Sequence, residues 1–202
     1  MDSISLIKTI FPKSNLNAIF FEVEAEYILG ISTWLGYNTH TTQEIEKMTD
    51  LSVQIFNEIF PSTSDEIFCL INHWDCRRDI YMLNQFKAFR DGRYKSRISF
   101  DETQEKEREQ ILIQTTQADI DINNIYSTFV ERDYAHEPES VTSRIIFINP
   151  VKQMYLLYFD SEIIVGGNNL SYLKPIFYKY EEYISKWQKT QFLKHDNNLN
   201  IG

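Results

Sequence analysis

Apolar residues follow two different spacings along this chain, and the spacings predict which segments are strands and which are helices. From residue 21 to residue 29, apolar residues alternate with Glu22, Glu24 and Glu26. A period of two places the apolar side chains on one face and the carboxylates on the other, as in a half-buried strand. Residues 66–74 are nearly continuously apolar, which predicts a strand that is covered on both faces.

Helical spacing marks four further segments. Three of the predicted helices follow the capping residues Ser3, Thr41 and Asp79, and a fourth covers residues 122–129. Thr41 and Glu44 also have the spacing of a capping box, in which a hydroxyl and a carboxylate three residues apart bind each other's backbone N–H groups. The helix after Thr41 is therefore the most strongly marked of the four.

The last quarter of the chain predicts three strands and then a helix. Three apolar runs separated by polar corners are typical of antiparallel hairpins, and they cover residues 145–148, 154–159 and 163–165. A long helix is predicted after them because aromatic residues recur every three or four positions, at Phe177, Tyr180, Tyr183 and Trp187. Gly166 and Gly167 indicate a tight turn before this helix, which Asn169 or Ser171 would cap.

Mixed strands and helices predict an α+β fold, with helices packed on one mainly antiparallel sheet; a three-layer α/β arrangement is the alternative. The charge-rich residues 101–110 and the polar residues 131–142 are interpreted as loops, and residues 111–113 fit a strand or a helix. We expect residues 1–192 to form a single domain and residues 193–202 to form a flexible tail.

The composition limits the kinds of macromolecule that this protein is expected to bind. The chain has 202 residues, 2 Cys and a formal net charge of −9. That charge disfavours nucleic acids and anionic membranes, which attract clustered Lys and Arg, and it favours a basic protein partner. No apolar run approaches the roughly 20 residues that span a bilayer, and we expect neither a signal peptide nor a disulfide framework. A cytoplasmic protein is expected, and its oligomeric state is left open.

Motifs for catalysis are weak. His73 and Cys76 lie at the end of a predicted strand, where a thiol near an imidazole could be activated as a nucleophile. No glycine elbow or oxyanion hole accompanies them, so a structural strand end is favoured over an enzyme of unknown class. Arg77 and Arg78 could clamp an anion, but a solvated pair neutralised by neighbouring aspartates is the favoured interpretation.

Metal-ligand residue types occur together at Asp133, His136, Glu137 and Glu139. A single histidine among scattered carboxylates is not a zinc motif, so an acidic interaction loop is the favoured interpretation. We expect neither a metal nor a cofactor.

The glutamates of the first predicted strand could serve as a row of acceptors for the Lys and Arg side chains of a partner. An equally weighted alternative is that Glu22, Glu24 and Glu26 keep a solvated face or sheet edge from aggregating.

Several segments, taken in order, resemble a bacterial family described as a domain of unknown function, whose members are often encoded near polymorphic-toxin loci. The resemblance lies in short motifs of core-type residues: Phe21–Val23, Ile55–Phe60, the strand to Asn72, Phe147–Asn149, Leu157–Asp160 and Phe177–Ile184. Family members usually follow the aspartate of the hairpin with a second acidic residue, an arginine and a glycine. Here Asp160 and Glu162 flank Ser161 in that polar corner, and Tyr183 replaces a family tryptophan.

The resemblance implies a binding protein, and in particular an immunity protein that neutralises a cognate toxin by docking on it. The residues expected to contact a basic toxin domain are Glu22, Glu24, Glu26, Asp133, Glu137 and Glu139. Asp160 and Glu162 are expected to form the polar corner of the hairpin.

Overall fold

The structure is a computed structural model, and it describes residues 3–15, 23–34, 41–74, 78–101, 106–134, 143–159 and 161–199. Within these residues, no helix combines the length and the apolar composition that crossing a membrane requires.

One sheet of seven strands organises the described part of the chain. The strands are β1 (Tyr27–Ser32), β2 (Glu66–Trp74), β3 (Lys95–Asp101), β4 (Lys106–Thr116), β5 (Ser143–Asn149), β6 (Met154–Phe159) and β7 (Glu162–Gly167). Their order in the sheet is β1-β7-β6-β5-β2-β4-β3, and every neighbouring pair is antiparallel. The strands β1 and β3 therefore lie at the two edges.

Seven α-helices accompany the sheet within the described residues. They are α1 (Ser3–Ile10), α2 (Thr42–Ile59), α3 (Ile80–Leu83), α4 (Lys87–Arg90), α5 (Ile122–Tyr134), α6 (Leu170–Lys179) and α7 (Lys186–Leu199). Two short 3₁₀ helices cover Gln117–Asp119 and Glu181–Tyr183. This arrangement confirms the predicted α+β class.

Each face of the sheet has its own apolar core. On the face that we call the α2 face, Cys69 and Ile71 of β2 pack with Phe56 of α2 and with residues of α5, α6 and α7. On the opposite face, the α1 face, Phe68 and Leu70 of β2 pack with residues of α1. All four β2 residues are at most 3% exposed, so the prediction of a strand covered on both faces is confirmed.

The predicted loop at residues 101–110 is wrong for its second half. Residues 106–110 begin β4, where all of them pair with β3 and residues 108–110 also pair with β2. Arg108, Glu109 and Gln110 are at most 4% exposed, although their composition is typical of a surface loop. Strand pairing satisfies their backbone groups, and Arg78 neutralises Glu109. The open alternative at residues 111–113 is resolved as a strand.

The alternating segment at residues 21–29 is also not one strand. Strand β1 begins only at Tyr27, and Val23 packs in the α1-face core whereas Leu29 packs in the α2-face core. The apolar residues therefore serve two faces of the sheet, because the chain bends before it enters the edge strand.

Two predicted helices are interrupted. The segment after Asp79 forms α3 and α4, with Asn84 and Gln85 between them in a turn. The C-terminal aromatic helix divides into α6 and α7, because the hydroxyl of Ser185 accepts from the Gln188 N–H at 3.3 Å and starts a new helix. Helix α7 runs to Leu199, past residue 192, where the tail was expected to begin.

Candidate functional site

A groove lies where the edge strand β1 meets α7. Its volume is about 310 Å³, and its lining residues are Glu26, Tyr27, Ile28, Trp187, Gln188, Gln191 and Phe192. We call it the edge groove. Helix α7 is fixed beside β1 because Phe192 stacks on Phe177 of α6, with ring centroids 4.3 Å apart.

Glycine at position 30 allows α7 to approach the strand. The backbone N–H of Gly30 donates to Oε1 of Gln188 at 3.3 Å, so α7 satisfies one outward-facing donor of the edge strand. A Cβ at this position would overlap Oε1 of Glu162 and would lie 2.6 Å from Nε2 of Gln188. Glu162, which is predicted in the polar corner of the hairpin, is the first residue of β7. Its Oε1 accepts a hydrogen bond from Nε2 of Gln188 at 3.5 Å.

The edge groove exposes large apolar side chains. Trp187 is 70% exposed and Ile28 is 50% exposed, although Phe192 beneath them is buried. Scattered apolar residues are ordinary on a protein surface, but a tryptophan beside a concave, partly apolar surface is typical of a protein-binding site.

One carboxylate, that of Glu26, lines the edge groove, and Glu24 precedes it by two residues in the chain. Glu24 and Glu26 are both exposed, as predicted from the alternation. The hydroxyl of Tyr27 donates to Oε1 of Glu26 at 2.8 Å, and this hydrogen bond is the main cause that raises the pKa of Tyr27. The Glu26 carboxylate therefore remains an exposed acceptor in a defined position.

The backbone of the acidic segment is anchored at two points. The N–H of Glu24 donates to the hydroxyl of Ser14 at 3.1 Å, and the N–H of Glu26 donates to Oδ1 of Asn168 at 3.2 Å. Asn168 in turn donates to the carbonyl of Ile10 at 2.8 Å. These bonds fix the backbone that carries the carboxylates before any partner arrives, which lowers the entropy cost of binding.

Asp133 occupies a different place and has a structural role. Its Oδ2 accepts from the Tyr158 hydroxyl at 2.8 Å, from the Ser161 N–H at 2.8 Å and from the Ser161 hydroxyl at 3.1 Å. Ser161 has a φ of 56° in the β6–β7 turn, a conformation that is unfavourable for a residue other than glycine. The half-buried carboxylate stabilises this turn from α5, and its predicted contact with a partner stays a prediction.

Asp133→Ala is expected to lower the free energy of unfolding by about 2 kcal/mol, because three hydrogen bonds to a charged acceptor disappear together. Urea titration measures the free energy of unfolding of this variant and of the control Glu131→Ala, which removes an exposed carboxylate from the same helix. Equal stability of the two variants would show that Asp133 does not support the turn.

A second polar cluster surrounds His73 at the end of β2. His73 is fully buried, and its Nδ1 accepts from the Asp79 N–H at 3.5 Å. Asp79 caps α3 and pairs with Arg132 at 2.8 Å, while Arg78 binds both carboxylate oxygens of Glu109 at 2.7 Å. Arg78 is thus neutralised by Glu109 of β4, not by its neighbour Asp79, which is one of the two aspartates predicted from the sequence; the other, Asp75, lies outside the described residues.

These contacts favour a structural role for the cluster. Hydrogen bonding to Arg78 is the main cause that lowers the pKa of Glu109. Burial is the main cause that lowers the pKa of His73, although Glu109 and Asp79 oppose the shift. A buried neutral imidazole that accepts a backbone hydrogen bond fits the favoured interpretation of a structural strand end.

We expect the fold to lose stability in acid through His73. Because its folded pKa is lowered, the unfolded chain binds a proton that the folded chain does not bind once the pH falls below about 6.5. Each further pH unit down to the folded pKa removes at most about 1.4 kcal/mol, and no effect is expected above this window. Urea titrations give the free energy of unfolding at neutral and at mildly acidic pH. The loss of stability between the two pH values should be smaller for His73→Gln than for the wild type. An unchanged difference would exclude His73 as the source.

Other predicted residues lie outside the described residues. They are Glu22, Cys76, Arg77, His136, Glu137, Glu139 and Asp160. In the part of the chain that the structure describes, no group of three His, Cys, Asp or Glu side chains could hold a metal ion.

Sequence reasoning missed the apolar half of the edge groove. The aromatic spacing predicts Trp187 on the core stripe of one continuous helix, and the alternation puts Ile28 on the face of the glutamates without assigning it a role. The polar stretch that includes Glu181, Glu182 and Ser185 is the one signal that could have separated Trp187 from the stripe.

Comparisons with known proteins identify a family. A family profile described as "Domain of unknown function (DUF3885)" matches residues 5–188. No curated protein matches the chain, and no solved structure matches it. The matched range includes most of the described residues of the sheet and both cores, together with Glu24 and Glu26, and it ends at Gln188 within α7. The chain therefore belongs to the DUF3885 family of domains of unknown function.

Proposed function

We propose that this protein is an immunity-type binding protein that neutralises a basic toxin domain by docking on it through the edge groove. The observation that carries the proposal is the exposed Trp187 beside Ile28, in a groove that is also lined by Glu26, whose backbone is anchored by Asn168. The expected place of action is the cytoplasm of the cell that makes the toxin.

The apolar and acidic parts of the groove have different tasks. A tryptophan that a partner buries commonly contributes about 2–4 kcal/mol to binding, and surrounding contacts keep water away from it. Carboxylates at the rim attract a basic partner and speed its approach, and salt weakens this attraction. Glu24 and Glu26 fit the second task because they are exposed and their backbone is anchored.

Neutralisation of this kind needs no chemical step in the binding protein. A toxin that acts on nucleic acid or on another anionic substrate carries a basic surface at its active site. An acidic protein that covers this surface blocks the substrate by occupancy and by charge. The net charge of −9 is of the right sign for such a partner.

Co-purification with the product of the adjacent gene tests the proposal. We expect a stable complex at low salt that weakens as salt rises, and we expect the charge reversal Glu26→Lys to weaken it further. Glu131→Lys is the matched control, because it makes the same change on the exposed side of α5. No retained partner at low salt, or equal effects of the two variants, would exclude this docking surface.

A further inference from the structure

Strand β3 forms an edge of the sheet that is open within the described part of the chain. It pairs with β4 on one side, and no described strand pairs with it on the other. For residues 95–98, no described residue outside the sheet binds the backbone groups that point away from β4. The edge at β1 differs, because the Gln188 side chain of α7 accepts from the Gly30 N–H there.

The shape of β3 suits pairing with a further strand. Its register with β4 runs over seven residues without a bulge, and the strand contains neither proline nor glycine. Residues 95–98 are all exposed, and Ile98 is 62% exposed although isoleucine is among the residues most often buried. Native proteins usually shorten, bend or cover an edge of this kind, since its free N–H and C=O groups are a template for another strand.

We propose that β3 pairs antiparallel with β3 of a second copy of this chain, so that two sheets join into one. A two-fold axis perpendicular to the sheet relates the copies, as in most protein dimers. Directly paired residues share a face of the sheet, so the numbers of two paired residues must have an even sum. This condition leaves few registers to compare.

One register pairs the whole of β3 and matches its charges. It is centred on Ile98, which lies opposite Ile98 of the second copy. Lys95 then lies opposite Asp101 of the second copy, and symmetry repeats this pair at the other end of the strand. Apolar pairs and pairs of opposite charge are the combinations that stabilise neighbouring antiparallel strands.

The neighbouring registers are less favourable. A shift of two residues in one direction places Arg97 opposite Arg97 of the second copy, and like charges directly opposite each other are destabilising. A shift of two residues in the other direction leaves Lys95 and Ser96 without a partner within β3 of the second copy. The register centred on Ile98 is therefore the one that the strand favours.

Pairing through β3 stops at two copies and leaves the edge groove accessible. The other edge of each sheet is β1, where α7 already lies against the strand. A third copy therefore has no open edge to join. The two edge grooves lie at the far ends of the joined sheet, so this proposal is independent of the proposed function.

Sedimentation of the purified full chain tests the proposal without any partner. The average mass is expected to rise from that of one chain toward that of two as the concentration increases from about 1 µM to about 1 mM. The mass of a single chain at every concentration would overturn the proposal. A mass that continues to grow beyond two chains would contradict the closed pair.

The variant Ile98→Lys places two ammonium groups opposite each other at the centre of the interface. It is expected to fold, because the side chain is mostly exposed, and to weaken association by at least about 10-fold. The matched control is Val151→Lys, which introduces the same charge at a position that is 82% exposed between β5 and β6. Equal association of the two variants would exclude β3 as the interface.

Exchanged charges test the register. Lys95→Asp and Asp101→Lys each place like charges opposite each other twice, so either variant alone should associate at least about 10-fold more weakly than the wild type. An equimolar mixture of the two variants should recover a mixed dimer, because every pair again has opposite charges. A mixture that associates no better than the separate variants would refute this pairing.

Discussion

Phe56→Ala is expected to lower the free energy of unfolding by about 4 kcal/mol, since it removes a fully buried ring and leaves a cavity. Phe56 joins α2 to the sheet and to α5. Its ring centroid lies 4.7 Å from that of Phe60, 5.2 Å from that of Phe147 and 6.4 Å from that of Tyr126. Phe60 follows α2, Phe147 lies in β5 and Tyr126 lies in α5, so these three rings cannot all move into the cavity that the missing ring leaves.

The control for Phe56→Ala is Gln54→Ala, which changes an exposed position of the same helix. Alanine is the best helix former, so the control should be neutral or slightly stabilising. Urea titration with a common slope measures both variants. A loss below about 1 kcal/mol for Phe56→Ala would show that the α2-face core does not depend on this ring.

Gly166→Ala is expected to cost about 3 kcal/mol, whereas Gly167→Ala should cost less than about 1 kcal/mol. Both glycines lie in β7, and a tight turn at this position, as predicted from the sequence, is not present. A Cβ on Gly166 would overlap the ring of Tyr155, which is held by Phe11 at 5.5 Å between centroids and by the carbonyl of Val23 at 3.1 Å. A Cβ on Gly167 would come closest to the flexible Met154 side chain, at 3.1 Å, and would be at ordinary contact distance from the Gln153 carbonyl and Leu173.

The two glycine variants control for each other, because they add the same methyl group to neighbouring positions. A difference between their urea midpoints isolates the close approach of Tyr155 from the general effect of replacing glycine in a strand. Equal midpoints would contradict the proposed reason for Gly166. A lower urea midpoint for Gly167→Ala than for Gly166→Ala would show that the closer approach is at Gly167.

Local signals in the sequence predicted much of the fold correctly. The capping box at Thr41 forms as predicted, with the Glu44 carboxylate bound to the Thr41 N–H at 2.8 Å. Continuous apolar runs predicted β2, β5 and β6, because a strand buried on both faces needs no polar residues. The cap at Asp79 is also present, through the Met82 N–H at 3.0 Å.

The errors arise where tertiary contacts override local composition. Arg108, Glu109 and Gln110 have the polarity of a loop, and only pairing across three strands makes their burial favourable. The partner of Glu109 is Arg78, which lies 31 residues earlier, so no local pattern reveals the ion pair. Val23 and Leu29 belong to opposite faces, although their spacing is that of one strand.

The candidate site was predicted only in its acidic part. Glu24 and Glu26 are on the surface as expected, whereas the apolar groove beside them depends on how α7 packs against β1. That packing requires Gly30, Gln188 and Phe192, which are distant in sequence.

The affinity of the purified chain for the product of the adjacent gene tests most directly the claim that the edge groove binds a partner protein. Calorimetry measures this affinity for the wild type, Trp187→Ala and Tyr81→Ala. The account predicts that Trp187→Ala weakens binding by about 30-fold or more, equivalent to about 2 kcal/mol, relative to the wild type. Tyr81→Ala, which removes an aromatic side chain that is 58% exposed on α3, should stay within about threefold. Undiminished affinity of Trp187→Ala, or no measurable binding by the wild type, would contradict the account.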